Sequence, residues 1–107
     1  MEKKINVIVK KCGGKMEHTT ISDELKTYKE IVGGSIEVRS YFEDVVVVCN
    51  TEGKKLGLPK NIQIMNLDFK NFRYETVHGD CIFVGFENGD FRSLTDEEVK
   101  GIIGDEI

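Results

Sequence analysis

Four consecutive valines, Val45 to Val48, mark the centre of the fold that this chain can adopt. Valine is β-branched and therefore favours extended over helical structure. A continuous apolar run, rather than one that alternates with polar residues, is typical of a strand buried on both of its faces. The valines therefore predict a central, fully buried strand.

The chain is long enough to form one domain around this strand. Its 107 residues, of which 39% are hydrophobic and 32% charged, suit a globular domain that is stable without disulfides. We expect residues 1–107 to form a single domain, with fraying limited to the last few residues. No apolar run approaches the roughly 20 residues of a membrane helix, and MEKKINVIVKK is typical of a strand rather than a signal peptide. We therefore expect no membrane association.

Alternation and helical spacing predict the elements before the valine strand. Ile5, Val7 and Val9 alternate with polar residues, as in a half-buried strand, and MEHTTI supplies a return strand after the CGGK turn. Ser22 is placed to cap a helix with apolar residues at helical spacing, and Gly33 can take the left-handed conformation that ends it. SIEVRSYF then predicts a strand that forms a hairpin with the valine strand.

The segments after the valine strand complete the fold class. Residues 62–76 have apolar positions spaced for neither element alone, and we expect a short strand or helical turn and a loop. DCIFVGF is typical of a strand, and the Asn-Gly pair in ENGD predicts a tight turn into FRSL. Thr95 and Glu98 match the capping box of a final helix. The elements predict an α+β domain, with a mostly antiparallel or mixed sheet and two short helices available to cover one face.

The charge excludes some classes of partner. A formal net charge of −4 disfavours a general nucleic-acid binder, which normally shows a basic face, and is too small for a DNA mimic. The charge is also uneven, because residues 50–73 carry a local charge of +3 and residues 87–107 a local charge of −5. We therefore expect no nucleic-acid polymer as a partner, but this segregation can serve one small anion.

Catalytic and metal motifs are absent from the sequence. GKKLG does not follow the order of a phosphate-binding P-loop, and no Cys-x-x-Cys or His-x-x-x-His pair occurs. Three cysteines are too few for a disulfide scaffold, which favours a reducing, cytoplasmic compartment. His78 and Asp80 can pair on one strand face, but no nucleophile accompanies them. We expect no catalytic residue, no metal and no cofactor.

The stretch NTEGKKLGLPKN, residues 50–61, is the best candidate for a ligand site. Its amides can bind a ribose or a purine edge, its lysines a pyrophosphate, and its proline stiffens the loop so that less entropy is lost on binding. Aromatic rings on either side can stack on a base. The candidate ligand-binding residues are Asn50, Lys54, Lys55, Pro59, Asn61, Arg73, Tyr74 and Phe42.

The same residues also have a purely structural interpretation. Asparagine and glycine beside proline are what any turn uses, lysines on a loop are usually solvated, and aromatic residues more often lie in the core. The sequence leaves both interpretations open. A cluster of these side chains in one concavity would favour the ligand site.

Four segments together resemble a known family. They are EIVGGSIEV, the run into CNTEGKKLGLPKN, HGDCIFVG and NGDFRSLTDEEV, spread over residues 25–99. They resemble small proteins of bacteriophages, prophages and other bacterial mobile elements that are known as a domain of unknown function. The shared pattern is I-V-G-G-x-I-E, then N-x-x-G-K-x-x-G-L-P-x-N, then G-D and S-L-T-D. The chain departs from the family in residues 62–76, so ligand-selecting residues there cannot be carried over.

The resemblance implies binding rather than catalysis. Small phage proteins of this kind include ones that sequester the nucleotide signals of bacterial immunity, such as cyclic ADP-ribose isomers and cyclic oligonucleotides. It therefore implies a non-catalytic counter-defence protein of the bacterial cytoplasm, with a small nucleotide-derived ligand and a pocket that can be built across a homo-oligomer. A protein-binding regulator or anti-restriction factor is the alternative, and a signal-cleaving hydrolase is the third.

Overall fold

The computed structural model describes residues 3–67 and 72–104, with side chains described outside 65–73. The expectation of a frayed C-terminal end concerns residues beyond this range. Within the described residues the chain forms eight strands and two helices in a small domain. These are β1 Lys4–Lys10, β2 Met16–Ser22, α1 Leu25–Val32, β3 Ile36–Phe42, β4 Val45–Asn50, β5 Lys60–Leu67, β6 Phe72–His78, β7 Cys81–Glu87, β8 Asp90–Arg92 and α2 Asp96–Gly104.

The main sheet has the strand order β2-β1-β7-β4-β3, and β8 pairs with β7 as well. Every strand pair in the described part of the chain is antiparallel. The valine strand β4 lies between β3 and β7, and all six of its residues are buried. The prediction of a central strand buried on both faces is therefore confirmed.

The two faces of this sheet bury separate cores. On β4, Val45, Val47 and Cys49 face one core, while Val46 and Val48 face the other, as the two-residue period of a strand requires. The first core also contains residues of α2 and of the β5–β6 hairpin, and the second contains residues of α1. The helices therefore pack on opposite faces, and the expectation that both cover one face was wrong. The β5–β6 hairpin is the element that shares a face with α2.

The start of α1 differs from the prediction, whereas its end agrees. Ser22 is the last residue of β2, paired with Lys4, so the sheet holds it in extended structure and it does not cap the helix. Glu24 occupies the N-cap position and makes no side-chain capping bond. Gly33 ends the helix with φ of 83°, a left-handed conformation in which glycine, lacking a Cβ, is not strained.

The capping box of α2 is confirmed. The main-chain N–H of Glu98 donates to Oγ1 of Thr95 at 3.1 Å, and the N–H of Thr95 donates to Oε1 of Glu98 at 2.9 Å. Arg92 also donates to both carboxylate oxygens of Glu98, at 2.9 and 3.0 Å. This bidentate pair fixes the start of α2 against β8.

Within the segment 62–76, residues 62–67 and 72–76 belong to the antiparallel strands β5 and β6, so a strand is confirmed and is longer than expected. The expected loop is not tested, because residues 68–71 lie outside the described residues. Ile62 pairs with Val77 and Ile64 pairs with Glu75, and the three apolar members of these pairs contact the first core. The register shifts between Lys60 and Ile62, where an extra residue is inserted. After this bulge, Ile62 and Ile64 alternate with a polar residue but Met65 and Leu67 fall on the other phase of the alternation, so the sequence pattern did not indicate the full strand.

Candidate functional site

A groove of about 540 Å³ lies between β6 and the loop that follows β4. Its size is within the range of roughly 300–1,000 Å³ that is usual for small-ligand sites. Side chains on its walls come from β3, β4, the loop and the β5–β6 hairpin. The polar and aromatic ones that matter below are Arg39, Asn50, Lys54, Lys60, Tyr74 and His78. A shallower depression on α1 is lined by residues of that helix alone, so it has no opposing wall.

The loop between β4 and β5, residues 51–59, is held against the turn between β6 and β7. A Cβ on Gly53 would stand 2.5 Å from the carbonyl oxygen of His78, so the two main chains are in contact. The main-chain N–H of Gly79 donates to the carbonyl oxygen of Pro59 at 2.8 Å. Nδ1 of His78 lies 3.1 Å from the carbonyl oxygen of Leu58. These contacts fix the loop as one wall of the groove.

Asn50 belongs to the framework of this wall. It is only 6% exposed, its Nδ2 donates to the carbonyl oxygen of Val32 at 3.2 Å, and its Oδ1 accepts from the N–H of Glu52 at 2.8 Å. The first bond satisfies a carbonyl at the end of α1, and the second is a local turn typical of asparagine. Both ends of the amide are therefore occupied within the protein.

Asn61 is the inserted residue of the β5 bulge, and its amide joins three segments. Its Nδ2 donates to the carbonyl oxygens of Lys10 at 2.8 Å and Gly79 at 2.9 Å, and its Oδ1 accepts from Nζ of Lys10 at 3.2 Å. A residue with its donors and acceptor used in this way has little capacity left for a ligand. Asn61 ties the hairpin to β1 and to the β6–β7 turn.

Two lysines of the groove have no such role. Lys54 and Lys60 line it, and the side chain of neither makes a hydrogen bond or ion pair with any residue in 3–67 or 72–104. Both are exposed. Their ammonium groups are therefore available to an anion that enters the groove.

One face of β6 contributes a ring and an imidazole. Tyr74, Thr76 and His78 alternate along the strand and so share a face, and Lys60 lies directly opposite His78 in the hairpin register. The Tyr74 ring is 69% exposed. Because a carbonyl oxygen can only accept, the His78 Nδ1 that faces Leu58 carries the proton in the neutral ring. Nε2 then bears the lone pair, and it has no hydrogen bond within the described residues.

Two members of an ion cluster, Arg39 and Glu75, also line the groove. Nη1 of Arg39 donates to Oε2 of Glu75 at 2.7 Å, and its Nη2 donates to Oε2 of Glu37 at 3.0 Å. The hydrogen bond with Glu37 raises the pKa of Arg39, although burial opposes this. The Arg39 charge is thus shared between two carboxylates, and the cluster joins β3 to β6.

The structure brings together three of the eight candidate residues proposed from the sequence. Asn50, Lys54 and Tyr74 line the groove, whereas Lys55, Pro59, Asn61 and Phe42 are not among its lining residues. The side chain of Arg73 lies outside the described residues. Lys60, one of the loop lysines proposed for a pyrophosphate, lines the groove as well. Sequence reasoning did not propose Arg39, Thr76 or His78 as ligand-binding residues, and only the register of the β5–β6 hairpin could have identified the last two.

The groups that could support hydrolysis are not assembled around His78. Asp80 accepts a hydrogen bond from the main-chain N–H of Cys12 at 2.9 Å, and His78 bonds to Leu58 instead. Burial raises the pKa of the Cys49 thiol, and it raises that of Cys81 to about 12. In the described ranges, no cluster of three or more histidine, cysteine or acidic residues has the geometry to hold a metal ion. No described helix is long and apolar enough to cross a membrane.

Comparison with known proteins places the chain in a family. The family model described as Domain of unknown function (DUF3846) matches residues 5–105, which is nearly the whole chain. No curated protein and no solved structure matches the chain. The matched range contains every element of the fold except the first residue of β1, and both walls of the groove. The chain therefore belongs to the DUF3846 family of domains of unknown function.

Proposed function

We propose that this protein binds a small nucleotide-derived anion in the groove between β6 and the loop 51–59 and holds it without turnover. The observation that carries the proposal is the pair of unpartnered lysines, Lys54 and Lys60, in the same groove as the exposed ring of Tyr74. A phosphorylated nucleoside has the two matching parts, a charged end and a flat base. The groove walls are fixed by hydrogen bonds, so little conformational entropy is lost on binding.

The arrangement of the reactive groups supports binding rather than catalysis. His78 and Asp80 do not form an acid–base pair, because the Asp80 carboxylate accepts from the main chain of Cys12 and Nδ1 of His78 faces the carbonyl oxygen of Leu58. Nucleophilic chemistry needs a thiolate or an activated hydroxyl, and burial raises the pKa of the Cys49 thiol. A site that only sequesters its ligand needs neither.

The biological role in this proposal is counter-defence. The sequence resembles small proteins of bacteriophages and mobile elements, and a protein that holds a nucleotide immune signal would protect such an element inside its bacterial host. The ligand is then a cyclic ADP-ribose isomer or a cyclic oligonucleotide, bound in the bacterial cytoplasm. A homo-oligomer that places two grooves side by side would suit a larger signal.

The test is a thermal-shift screen of the purified protein against ADP-ribose derivatives, cyclic dinucleotides and cyclic trinucleotides. A ligand that binds only the native state raises the unfolding temperature by mass action. We expect a shift, and chromatography after heat release should recover the ligand intact. Recovery of a cleaved product would show a hydrolase instead, and the absence of any shift would contradict the proposal.

A second candidate is a protein-binding regulator. The observation that favours it lies on β3, an edge strand of the main sheet, where the side chains of Val38 and Phe42 are 44% and 64% exposed. An open strand edge with exposed apolar side chains can accept a strand from another chain. Phe42→Asp should abolish capture of a protein partner if this candidate is correct, and should leave nucleotide binding unchanged.

A further inference from the structure

We infer that the groove takes a single nucleotide with a pyrophosphate group, an ADP-ribose or nucleoside diphosphate type of ligand, rather than a cyclic dinucleotide. The pyrophosphate lies at Lys54, Lys60 and His78, and the base lies on Tyr74. This inference rests on the proposed function and specifies the ligand class of the same site. It follows from how the charges and the ring are distributed along the groove.

Lys54, Lys60 and His78 lie at one end of the groove. Lys60 and His78 are direct partners in the antiparallel register, so their Cβ atoms are about 5 Å apart. The chain contact between Gly53 and His78 places the neighbouring Lys54 at the same end. Two ammonium groups and a histidine within this span match two adjacent phosphate charges. They do not match two phosphodiesters that are separated by ribose rings.

The His78 side chain can form a hydrogen bond with the ligand in either protonation state. Its Nδ1 is held by the carbonyl oxygen of Leu58, so the ring orientation is fixed. The neutral ring offers the lone pair of Nε2 to a ribose hydroxyl or to a protonated phosphate. The protonated ring offers an N–H to a phosphate oxygen. Its direction is therefore set before the ligand arrives.

The other end of the groove suits a base and not a phosphate. Among the described residues that line the groove, Tyr74 supplies the one aromatic ring, so one base can be stacked there. The carboxylates of Glu37 and Glu75 gather around Arg39 beside it and offset the charge of that guanidinium. Of these two carboxylates, Glu75 lines the groove, so a phosphate at this end would meet a negative group. This difference between the two ends sets the orientation in which the ligand binds.

The distance between the two ends fits an extended mononucleotide. Tyr74 and His78 are four residues apart on β6, which corresponds to about 13 Å along a strand. Thr76 lies between them on the same face and places a hydroxyl where the ribose would lie. A cyclic dinucleotide has two bases and two separated phosphates. This groove offers one aromatic side chain, at Tyr74, and one charged end, so it does not match such a ligand.

Isothermal titration calorimetry on the intact protein with ADP-ribose, ADP, AMP, pyrophosphate and cyclic diadenylate tests the inference. We expect ADP-ribose and ADP to bind at least 10-fold more tightly than AMP or cyclic diadenylate. Lys54→Gln and Lys60→Gln should each weaken ADP binding roughly 10-fold, as expected for loss of one charge-assisted contact. Lys55→Gln is the matched control, because Lys55 is an exposed neighbour on the same loop outside the groove, and it should change binding less than about 2-fold.

The aromatic end has its own matched pair of variants. Tyr74→Ala should weaken ADP binding several-fold and leave pyrophosphate binding unchanged, because only the base contacts the ring. Phe42→Ala removes an equally exposed ring outside the groove and should change neither. Tighter binding of cyclic diadenylate than of ADP would overturn the inference and leave the proposed function standing. Failure of every nucleotide to bind would overturn both.

Discussion

Gly53 and His78 touch through their main chains, and a β carbon on Gly53 would stand 2.5 Å from the carbonyl oxygen of His78. This contact seats the loop 51–59 on the end of β6. It also brings Lys54 to the same end of the groove as the imidazole. A glycine at position 53 is therefore needed for the loop to approach His78 closely, and this contact places Lys54 in the groove.

Gly53→Ala should destabilise the protein by about 1–3 kcal/mol, because a methyl group at this contact forces one of the two main chains to move. The measurement is the free energy of unfolding from urea denaturation. Gly101→Ala is the matched control, since a Cβ there meets nothing within 4 Å and the residue lies inside α2. The control should stabilise the protein by about 0.5–1 kcal/mol. Equal effects from the two substitutions would contradict the close contact.

Asn61→Ala should also lower the free energy of unfolding. It leaves the carbonyl oxygens of Lys10 and Gly79 without their side-chain donor, and the cost of such a loss is about 1–3 kcal/mol. Gln63→Ala, an exposed amide on the same strand, should change the free energy of unfolding by less than about 0.5 kcal/mol. A stable Asn61→Ala variant that has lost nucleotide binding would show that this amide contacts the ligand instead.

The Arg92–Glu98 pair predicts a pH dependence. Hydrogen bonds from Arg92 hold the pKa of Glu98 below its usual value, although burial opposes this. A carboxyl with a lowered folded-state pKa contributes stability above its unfolded value of about 4.3, and this stability is lost as the pH falls through the folded pKa. Glu98→Gln keeps a capping residue but not the charge. It should reduce stability at pH 7, and its difference from the wild type should shrink toward pH 3.

The matched control for this pair is Glu97→Gln, because Glu97 is an exposed neighbour in the first turn of α2. Urea denaturation at pH 7 and pH 3 should show little change in its difference from the wild type. A wild-type advantage over Glu98→Gln that persists undiminished at pH 3 would disprove the role assigned to the ion pair.

The three thiols should differ in reactivity. Burial raises the pKa of all three thiols, but Cys49 and Cys81 are buried from reagents whereas Cys12 is partly exposed. A chromogenic disulfide reagent at pH 8 should therefore modify one thiol in the native protein, and all three after denaturation. The Cys12→Ser variant should lose the native reaction. Two or more fast thiols in the native wild type would contradict the packing of the first core.

The fold was largely predictable from the sequence, because its strongest signals are local. The valine run, the Asn-Gly turn and the capping box of α2 each act within a few residues of the chain. The prediction of Ser22 as the N-cap of α1 was wrong. Serine is a common N-cap residue, but here its pairing with Lys4 keeps it in β2. The full length of β5 was not predicted because Ile62 and Ile64 lie on one phase of the alternation and Met65 and Leu67 on the other.

The candidate site was less predictable, because its chemistry depends on distant partners. The sequence around an asparagine is the same whether its amide stabilises a turn or binds a ligand. Here the bonds to Val32, for Asn50, and to Lys10 and Gly79, for Asn61, indicate the structural role. Those partners come from separate elements that the fold brings together. Lys54, a ligand-binding residue proposed from the sequence, does line the groove, and its loop could be located from the glycines and proline around it.

The most direct test of the account is an amide chemical-shift map of the isotope-labelled protein titrated with ADP. If the groove is the ligand site, the largest shifts should fall on residues 51–54, on Lys60 and along Tyr74 to His78. The amides near Phe42 should move little by comparison. Shifts concentrated along β3, or no shifts with ADP in large excess, would contradict the assignment of the groove as a nucleotide site.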